Sequence, residues 1–334
     1  MNIATDPSHA DLYFSRTLEI LKKDNRNPVV TMEIFARKDG ILCGVKEVLG
    51  LLKGVLPSTA VVDYLEGGLP FKKHEVVLQI TAPYQSFCLY ETAYLGILAS
   101  ETGWATKAHE IATAAGNIPV VCFGARHVHP NVSAQMEYAA IIGGCESCAT
   151  PAGAAMAAES KGKYTHVTAT GTMPHALTLI YGDTVQAALA FDRTIDPLVA
   201  RTVLIDTFID EPEEARKCVE ALGEKLQAVR LDTSAELGGV TVSLVQNVRK
   251  SLDEAGAKHT RILVSGGFDT EKIKQFVAEK APVDGFGVGT AIAAAPPIDF
   301  TADIKEIDGT PVAKRGRKPG KSHNPRLVRM DYRE

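Results

Sequence analysis

The 334-residue chain is expected to be an α/β protein with a parallel sheet closed, fully or in part, into a barrel. Three features predict this. Between about 118 and 295, short apolar runs alternate with helix-length stretches, the pattern of βαβ units. The runs are almost continuously apolar, as in Ile262-Leu263-Val264, which suits strands covered on both faces. Six or seven such units fit a barrel better than an open sheet. At roughly 150 residues per domain, the length leaves room for a second domain.

In chain order, residues 1–27 read as a helix and a polar turn. Asp6-Pro7-Ser8 is a start signal, and Leu12, Leu18 and Leu21 give an apolar face. Residues 29–81 are β-rich, with runs at Val29–Phe35 and Val76–Thr81 bounded by Gly, Pro or charged turns. Residues 85–115 are expected to be helical, with Tyr90, Tyr94 and Leu98 at a spacing of four. The barrel strands are expected at 119–123, 139–143, 165–170, 202–206, 227–231, 261–265 and 283–288. Helices are expected at 212–223 and 241–255, and Asp269 is placed to cap one ending near Ala278. The alternation stops at Pro296-Pro297, and 301–334 is polar with a basic cluster.

Composition narrows the class. The chain is 45% hydrophobic and 23% charged, enough for a packed core. A net charge of −4 excludes a polyanion binder by bulk charge. No apolar run reaches the roughly 18–20 residues of a spanning helix. Met1–Asp11 is polar and lacks the apolar core of a signal peptide. Six Cys in this length make no disulfide scaffold, so a cytoplasmic, reduced enzyme is expected.

The chemistry gathers where the expected strands end, which is where parallel barrels carry their sites. Strand 119–123 runs into Phe123-Gly124-Ala125-Arg126-His127-Val128-His129, and strand 165–170 into Gly171-Thr172-Met173-Pro174-His175. Asp206-Thr207, then Arg230-Leu231-Asp232-Thr233, end the next two. The last two end in Ser265-Gly266-Gly267 and Gly287-Val288-Gly289-Thr290. Paired glycines let backbone N–H groups reach an anion, and two such ends late in a barrel make a phosphate cup. Arg126, His127, His129 and Arg230 with Asp206 and Asp232 suit a substrate bearing phosphates and ribose hydroxyls, with a metal between.

Six segments carry a resemblance that covers nearly the whole chain. They are Asp11-Leu12-Tyr13, Tyr90-Glu91-Thr92 with Leu95, Phe123–Arg126, Gly171–His175, Val229–Asp232 and Asp284–Thr290. In this order they resemble the DLY, LLET, FGxR, GTxxH, VRLDSGD and DxFGVGT motifs of the nicotinate phosphoribosyltransferase family, a type II phosphoribosyltransferase family. The resemblance implies an incomplete parallel α/β barrel (117–296) and an α/β sandwich domain built from both chain ends (1–116 and 297–334). It implies synthesis of nicotinate mononucleotide and pyrophosphate from nicotinate and phosphoribosyl pyrophosphate, with Mg²⁺ and with ATP as co-substrate.

The same resemblance implies the residue roles. Phe123 would stack on the pyridine ring, and Tyr13 from a second subunit on its other face, which requires a homodimer or an assembly of dimers. Arg126, with Arg230 nearby, would neutralise the nicotinate carboxylate and a phosphate. His127 and Thr172 would join them in binding substrate. Asp232 would hold ribose hydroxyls, with Asp206 beside it. Ser265, Gly266, Gly267, Gly287, Gly289 and Thr290 would surround the 5′-phosphate. His175 matches the histidine that ATP phosphorylates.

The chain also departs from the family. His127 stands where a second Arg often follows FGxR, and Gly143–Thr150 replaces a GTS-like segment that helps choose the ring. Thr233-Ser234-Ala235 replaces SGD, and no Cys follows Cys218, so a C-terminal zinc knuckle is absent.

Other readings compete with this one. Cys145 and Cys148 with His127 and His129 could form a zinc site, though a single CxxC is a weak signal. Lys314–Lys321 contains an Arg-Gly-Arg core like a minor-groove hook, but a lone basic stretch is more often solvated surface. Quinolinate phosphoribosyltransferase needs further cations for a second carboxylate, against the neutral Cys148-Ala149-Thr150 text. A non-catalytic paralogue is the remaining alternative.

Overall fold

A computed structural model describes residues 6–160, 164 and 166–331. Its strands in chain order are β1 (Val29–Ala36), β2 (Gly40–Ile41), β3 (Val61–Tyr64), β4 (Pro70–Phe71), β5 (Val76–Pro83), β6 (Val120–Cys122), β7 (Ser147–Cys148), β8 (Thr202–Leu204), β9 (Ala228–Leu231), β10 (Arg261–Val264), β11 (Gly285–Val288), β12 (Phe300–Ile307), β13 (Thr310–Pro311) and β14 (Val328–Arg329). Its helices are α1 (Leu12–Lys23), α2 (Val45–Val55), α3 (Glu91–Ala115), α4 (Ser133–Gly143), α5 (Pro151–Ala158), α6 (His175–Tyr181), α7 (Thr184–Thr194), α8 (Glu211–Leu222), α9 (Val242–Glu254), α10 (Thr270–Ala278) and α11 (Thr290–Ala293). They form two compact units, one from residues up to 106 with those from 295, the other from 107–294.

The first unit is an antiparallel sheet in the order β13-β12-β1-β5-β3-β14. Strand β1 is central because its residues are apolar or paired on both faces. Val30, Met32 and Ile34 point into a core with Val48, Leu52, Ile80, Tyr94 and Leu98, so α2 and the start of α3 cover that face. The alternate residues are polar: Thr31 bonds Glu306 and Thr81, and Glu33 bonds Gln79 and Ser322. The polar text after 300 therefore includes an eight-residue strand, β12, that pairs along the whole of β1.

The second unit holds a parallel sheet in the order β7-β6-β11-β10-β9-β8. Among the described residues its edge strands β7 and β8 do not pair with each other, which makes the barrel incomplete. The fold class is thus the one expected. Helices α9 and α10 begin at side-chain caps, Thr241 Oγ1 accepting from Leu244 N and Asp269 Oδ1 from Lys272 N.

Two expected strands are corrected. Residues 139–143 are the end of α4, where Met136 to Gly143 are buried apart from Tyr138. A helix covered on nearly every side loses its polar stripe, and its apolar run then reads like a buried strand. Of 165–170, Thr165 lies outside the described residues. The remainder is a turn at His166 and an irregular segment joined to β7 by a single parallel bridge, Ala169 to Cys148.

Candidate active site

The carboxyl ends of the barrel strands open into a cleft of about 580 Å³. Strand β6 delivers Phe123, Arg126 and His127, and β9 delivers Arg230 and Asp232. Ser265, Gly266 and Gly267 follow β10, while Gly287, Gly289 and Thr290 come from β11 and the turn after it. Thr172 and His175 enter from the 170–175 segment and the start of α6. The floor between these groups includes Ala149 and Thr170.

Glycine is required at several of these points. Gly266 and Gly267 have φ of +87° and +68°, both in the left-handed region that favours glycine, and both line the cleft. A Cβ at 287 would lie 2.6 Å from Phe123 Cδ2, and one at 289 would lie 2.8 Å from the Phe123 carbonyl. The backbone must therefore pass close beneath the Phe123 ring.

The charged groups differ in how far they are already committed. Arg230 donates to Thr172 Oγ1 at 2.6 Å and to Asp232 Oδ2 at 3.0 Å, and its guanidinium carbon lies 5.7 Å from the Phe123 ring centre. Its Nε is buried and has no partner among the described residues. Arg126 is exposed to the cleft and makes no ion pair among the described residues. His127 Nε2 is 3.4 Å from Thr290 Oγ1.

Asp206 lies behind the cleft, its side chain only 2% exposed, with Oδ2 3.1 Å from His175 Nε2. Its Oδ1 is buried without a partner. Burial raises the Asp206 pKa and His175 opposes that, while the nearby Asp232 charge adds to the rise. Asp232 lines the cleft while Asp206 lies behind it with a buried oxygen left over, so a hard divalent cation there would need phosphate oxygens for most of its shell.

Tyr13 does not line this cleft. It sits on α1 of the sheet unit, 57% exposed, with its ring 4.2 Å from Phe14. The segments around it are tied together: Asp11 N donates to Thr92 Oγ1 at 3.1 Å, and that hydroxyl donates back to Asp11 Oδ2 at 2.9 Å.

The zinc reading fails on geometry. Cys145 and Cys148 are buried while His127 and His129 are exposed, and the described residues hold no group of three ligands. Burial pushes the Cys122 thiol up to about 12 and the Cys148 thiol up to about 11. The basic hook is partly consumed as well, with Arg317 paired to Asp303 at 2.8 Å and lying 5.3 Å from the Phe35 ring.

Sequence reasoning missed the support behind the floor. Glu137, on α4, is fully buried and accepts from Ala149 N at 2.9 Å and from the Thr150 hydroxyl. An acidic residue inside an apolar helical run was the available signal, hidden once that run was read as a strand.

A parallel barrel fragment with a glycine pair, an arginine beside an aromatic ring and two carboxylates describes a phosphoribosyl-transferring site. Residues 11–102 match the N-terminal domain of quinolinate phosphoribosyl transferase, and residues 104–303 match its C-terminal domain. The chain therefore belongs to that family, and is a type II phosphoribosyltransferase of pyridine nucleotide biosynthesis. It is 34% identical to the nicotinate phosphoribosyltransferase pncB1 of Mycobacterium tuberculosis, over 88% of this chain and 71% of that one. A crystal structure of nicotinate-nucleotide pyrophosphorylase from Pyrococcus furiosus is similar at a TM-score of 0.87 and 42% identity, covering 95% of this chain and 80% of that one. Human nicotinic acid phosphoribosyltransferase shares the fold, with a TM-score of 0.72 at 16% identity over 93% of this chain and 77% of that one. Among the described residues, no helix is long and apolar enough to cross a membrane.

Proposed function

We propose that the chain makes nicotinate mononucleotide and pyrophosphate from nicotinate and phosphoribosyl pyrophosphate. The observation that carries this reading is the balance of charge in the cleft. Arg126 lines the same cleft as Phe123 and makes no ion pair among the described residues, Arg230 lies over the Phe123 ring and is tied to Asp232, and the floor of Ala149, Thr170 and Thr172 is neutral. That set matches a ring with one carboxylate and offers little to hold a second. The likeness to the mycobacterial nicotinate phosphoribosyltransferase supports the same choice.

The chemistry asks mainly for positioning. Pyrophosphate leaves as the anomeric bond breaks toward a cationic ribosyl centre, and the neutral pyridine nitrogen attacks without needing a base. Phe123 and Arg126 orient the ring, and the Gly266-Gly267 pair holds the 5′-phosphate. Asp232 orients ribose hydroxyls and tolerates the developing positive charge. Mg²⁺, held by Asp206 and Asp232 with phosphate oxygens, would offset charge on the leaving group. ATP acts as co-substrate through His175. Because Asp206 can accept from Nε2–H, Nδ1 keeps its lone pair for attack on the γ-phosphorus of ATP, whose bond to the β–γ bridging oxygen breaks as ADP leaves. The functional form is a dimer in which the partner contributes Tyr13 to each site.

Incubation with phosphoribosyl pyrophosphate, Mg²⁺ and either nicotinate or quinolinate tests the substrate. Nicotinate mononucleotide should form from nicotinate without release of carbon dioxide. Equal or better kcat/KM for quinolinate, with carbon dioxide released, would replace this reading by the decarboxylating one that the matched family's description suggests. Subunit exchange between inactive Tyr13→Ala and inactive Asp232→Ala chains should restore activity. Failure in verified mixed dimers would remove Tyr13 from the site.

A further inference from the structure

We propose that Glu137 is a positioning residue that sets affinity for the pyridine ring by fixing the floor of the cleft from behind. This rests on the reading of the cleft as a pyridine site. Glu137 is 0% exposed, on the face of α4 toward α5, and no cation pairs with it among the described residues. A buried carboxylate costs several kcal/mol unless its oxygens are well bonded. Here both oxygens are spent on one short segment: Oε1 accepts from Ala149 N at 2.9 Å and Oε2 accepts from the Thr150 hydroxyl.

The surroundings are built for that contact. Thr150 Oγ1 also accepts from Gly153 N at 3.2 Å, so one hydroxyl links the acid to the start of α5. Glycine at 153 is needed for the approach, because a Cβ there would lie 2.6 Å from Glu137 Cβ. The tie extends across the floor. Thr170 N donates to the Cys148 carbonyl at 2.8 Å, and Ser147 Oγ lies 2.8 Å from Thr170 Oγ1. Ala149 and Thr170, two of the floor residues, are thus anchored through 147–150, whereas the glycine pair at 266–267 receives none of these bonds. Loosening Glu137 should disturb the ring subsite and spare the phosphoribosyl subsite. Such selectivity separates positioning from general stability.

The test uses the full chain with whichever pyridine acid, nicotinate or quinolinate, the wild type turns over, so failure of the nicotinate reading leaves this proposal testable. Separate KM values are measured for the pyridine and for phosphoribosyl pyrophosphate in Glu137→Ala, Glu137→Gln and Thr150→Val, alongside Tm. Glu137→Ala should raise the pyridine KM at least 10-fold, with KM for phosphoribosyl pyrophosphate within 2-fold of wild type. Glu137→Gln, which keeps the shape and one acceptor oxygen, should recover most of the loss. If Glu137→Ala does not fold, Thr150→Val decides, since it removes the hydroxyl but leaves the acid in place, and it should raise the pyridine KM by at least 3-fold. Unchanged pyridine KM, or both KM values rising together as Tm falls, would overturn the proposal and leave Glu137 a structural acid.

Discussion

The two units differ in how completely their buried polar groups are paired. In the sheet unit, buried Glu33 accepts from Gln79 Nε2 at 2.9 Å and from Ser322 Oγ at 2.9 Å, with Lys305 Nζ 3.8 Å away. Asp63 is held by Lys321 and Arg329 in the same way. Among the described residues of the barrel unit, Asp206 Oδ1, Thr207 Oγ1 and Arg230 Nε are buried without partners close to strand ends, and so are the Ser160, Thr178 and Thr184 hydroxyls away from them. A buried polar atom normally finds a partner, because leaving one unmade costs about 1–3 kcal/mol. Satisfied groups in one unit hold the chain's own tail to the sheet. In the other, one orphaned group, Arg230 Nε, belongs to a residue that lines the cleft. Buried polar groups serve architecture in both units, as Glu137 and Arg201 do in the barrel, and only the barrel unit leaves one beside its cleft to be answered by a ligand.

The largest break in that contrast should come from Arg126→Ala. Among the described residues it makes no ion pair, so its removal should leave Tm nearly unchanged. Losing a charge-assisted pair to the substrate carboxylate should cost about 2–5 kcal/mol in kcat/KM for the pyridine acid. Wild-type kinetics would place the carboxylate elsewhere.

Asp206→Asn should separate function from stability. Label transfer from γ-labelled ATP to His175 should fall by about 100-fold or more, since the imidazole loses the carboxylate that orients it. Stability should move the other way. Asp206 has a raised pKa in the folded chain, so its contribution is complete below the unfolded value and lost as pH rises through the folded one. At neutral pH the carboxylate is a burden, and the Asn variant should show a higher Tm. A lower Tm together with full labelling would reverse both assignments.

A smaller effect is expected of Gly287→Ala. The added Cβ would lie 2.6 Å from Phe123 Cδ2 and 3.1 Å from Ser265 Cβ, so the ring must shift. Overpacking of this kind costs about 1–3 kcal/mol, and here it should appear as a raised pyridine KM as well as lost stability. Unaltered KM would show that the Phe123 ring does not contact the substrate.

Much of this was legible in the residues. Strands β6 and β8 to β11 announce themselves as apolar runs ending in polar or glycine-rich text, because both faces are buried and the chemistry sits at one end. The cleft residues from Phe123 to Thr290 follow from those ends. What was hidden has physical causes. The run 139–143 is apolar on nearly all sides, so no period distinguished helix from strand. Strand β12 alternates charged and apolar residues because one of its faces pairs with Glu33 and Thr31 rather than with the core, and it read as tail. The link from Asp206 to His175 spans 31 residues and needs the fold to reveal it.

The smallest expected effect sharpens the comparison inside the sheet unit, where Glu101 breaks the rule that buried acids are answered. It is 4% exposed on α3, and its hydrogen-bond donor is the Cys43 thiol at 3.4 Å. Burial, with the Glu47 charge nearby, pushes its pKa up from 4.5 to about 8. An acid raised this far is neutral in the folded chain at pH 6 and ionised in the unfolded one. The protonated form therefore stabilises the fold below about 4.5, and that contribution is lost as pH rises toward about 8. Glu101→Gln keeps the shape and removes the titration. Its Tm should match wild type near pH 5 and exceed it at pH 9, by roughly 2 °C or more if about 1 kcal/mol is relieved in a chain of this size. The variant should leave both KM values alone, because Glu101 contributes nothing to the cleft lining. Parallel Tm profiles from pH 5 to 9 would show that Glu101 is ionised and paired like its neighbours, and the sheet unit would then follow its own rule throughout.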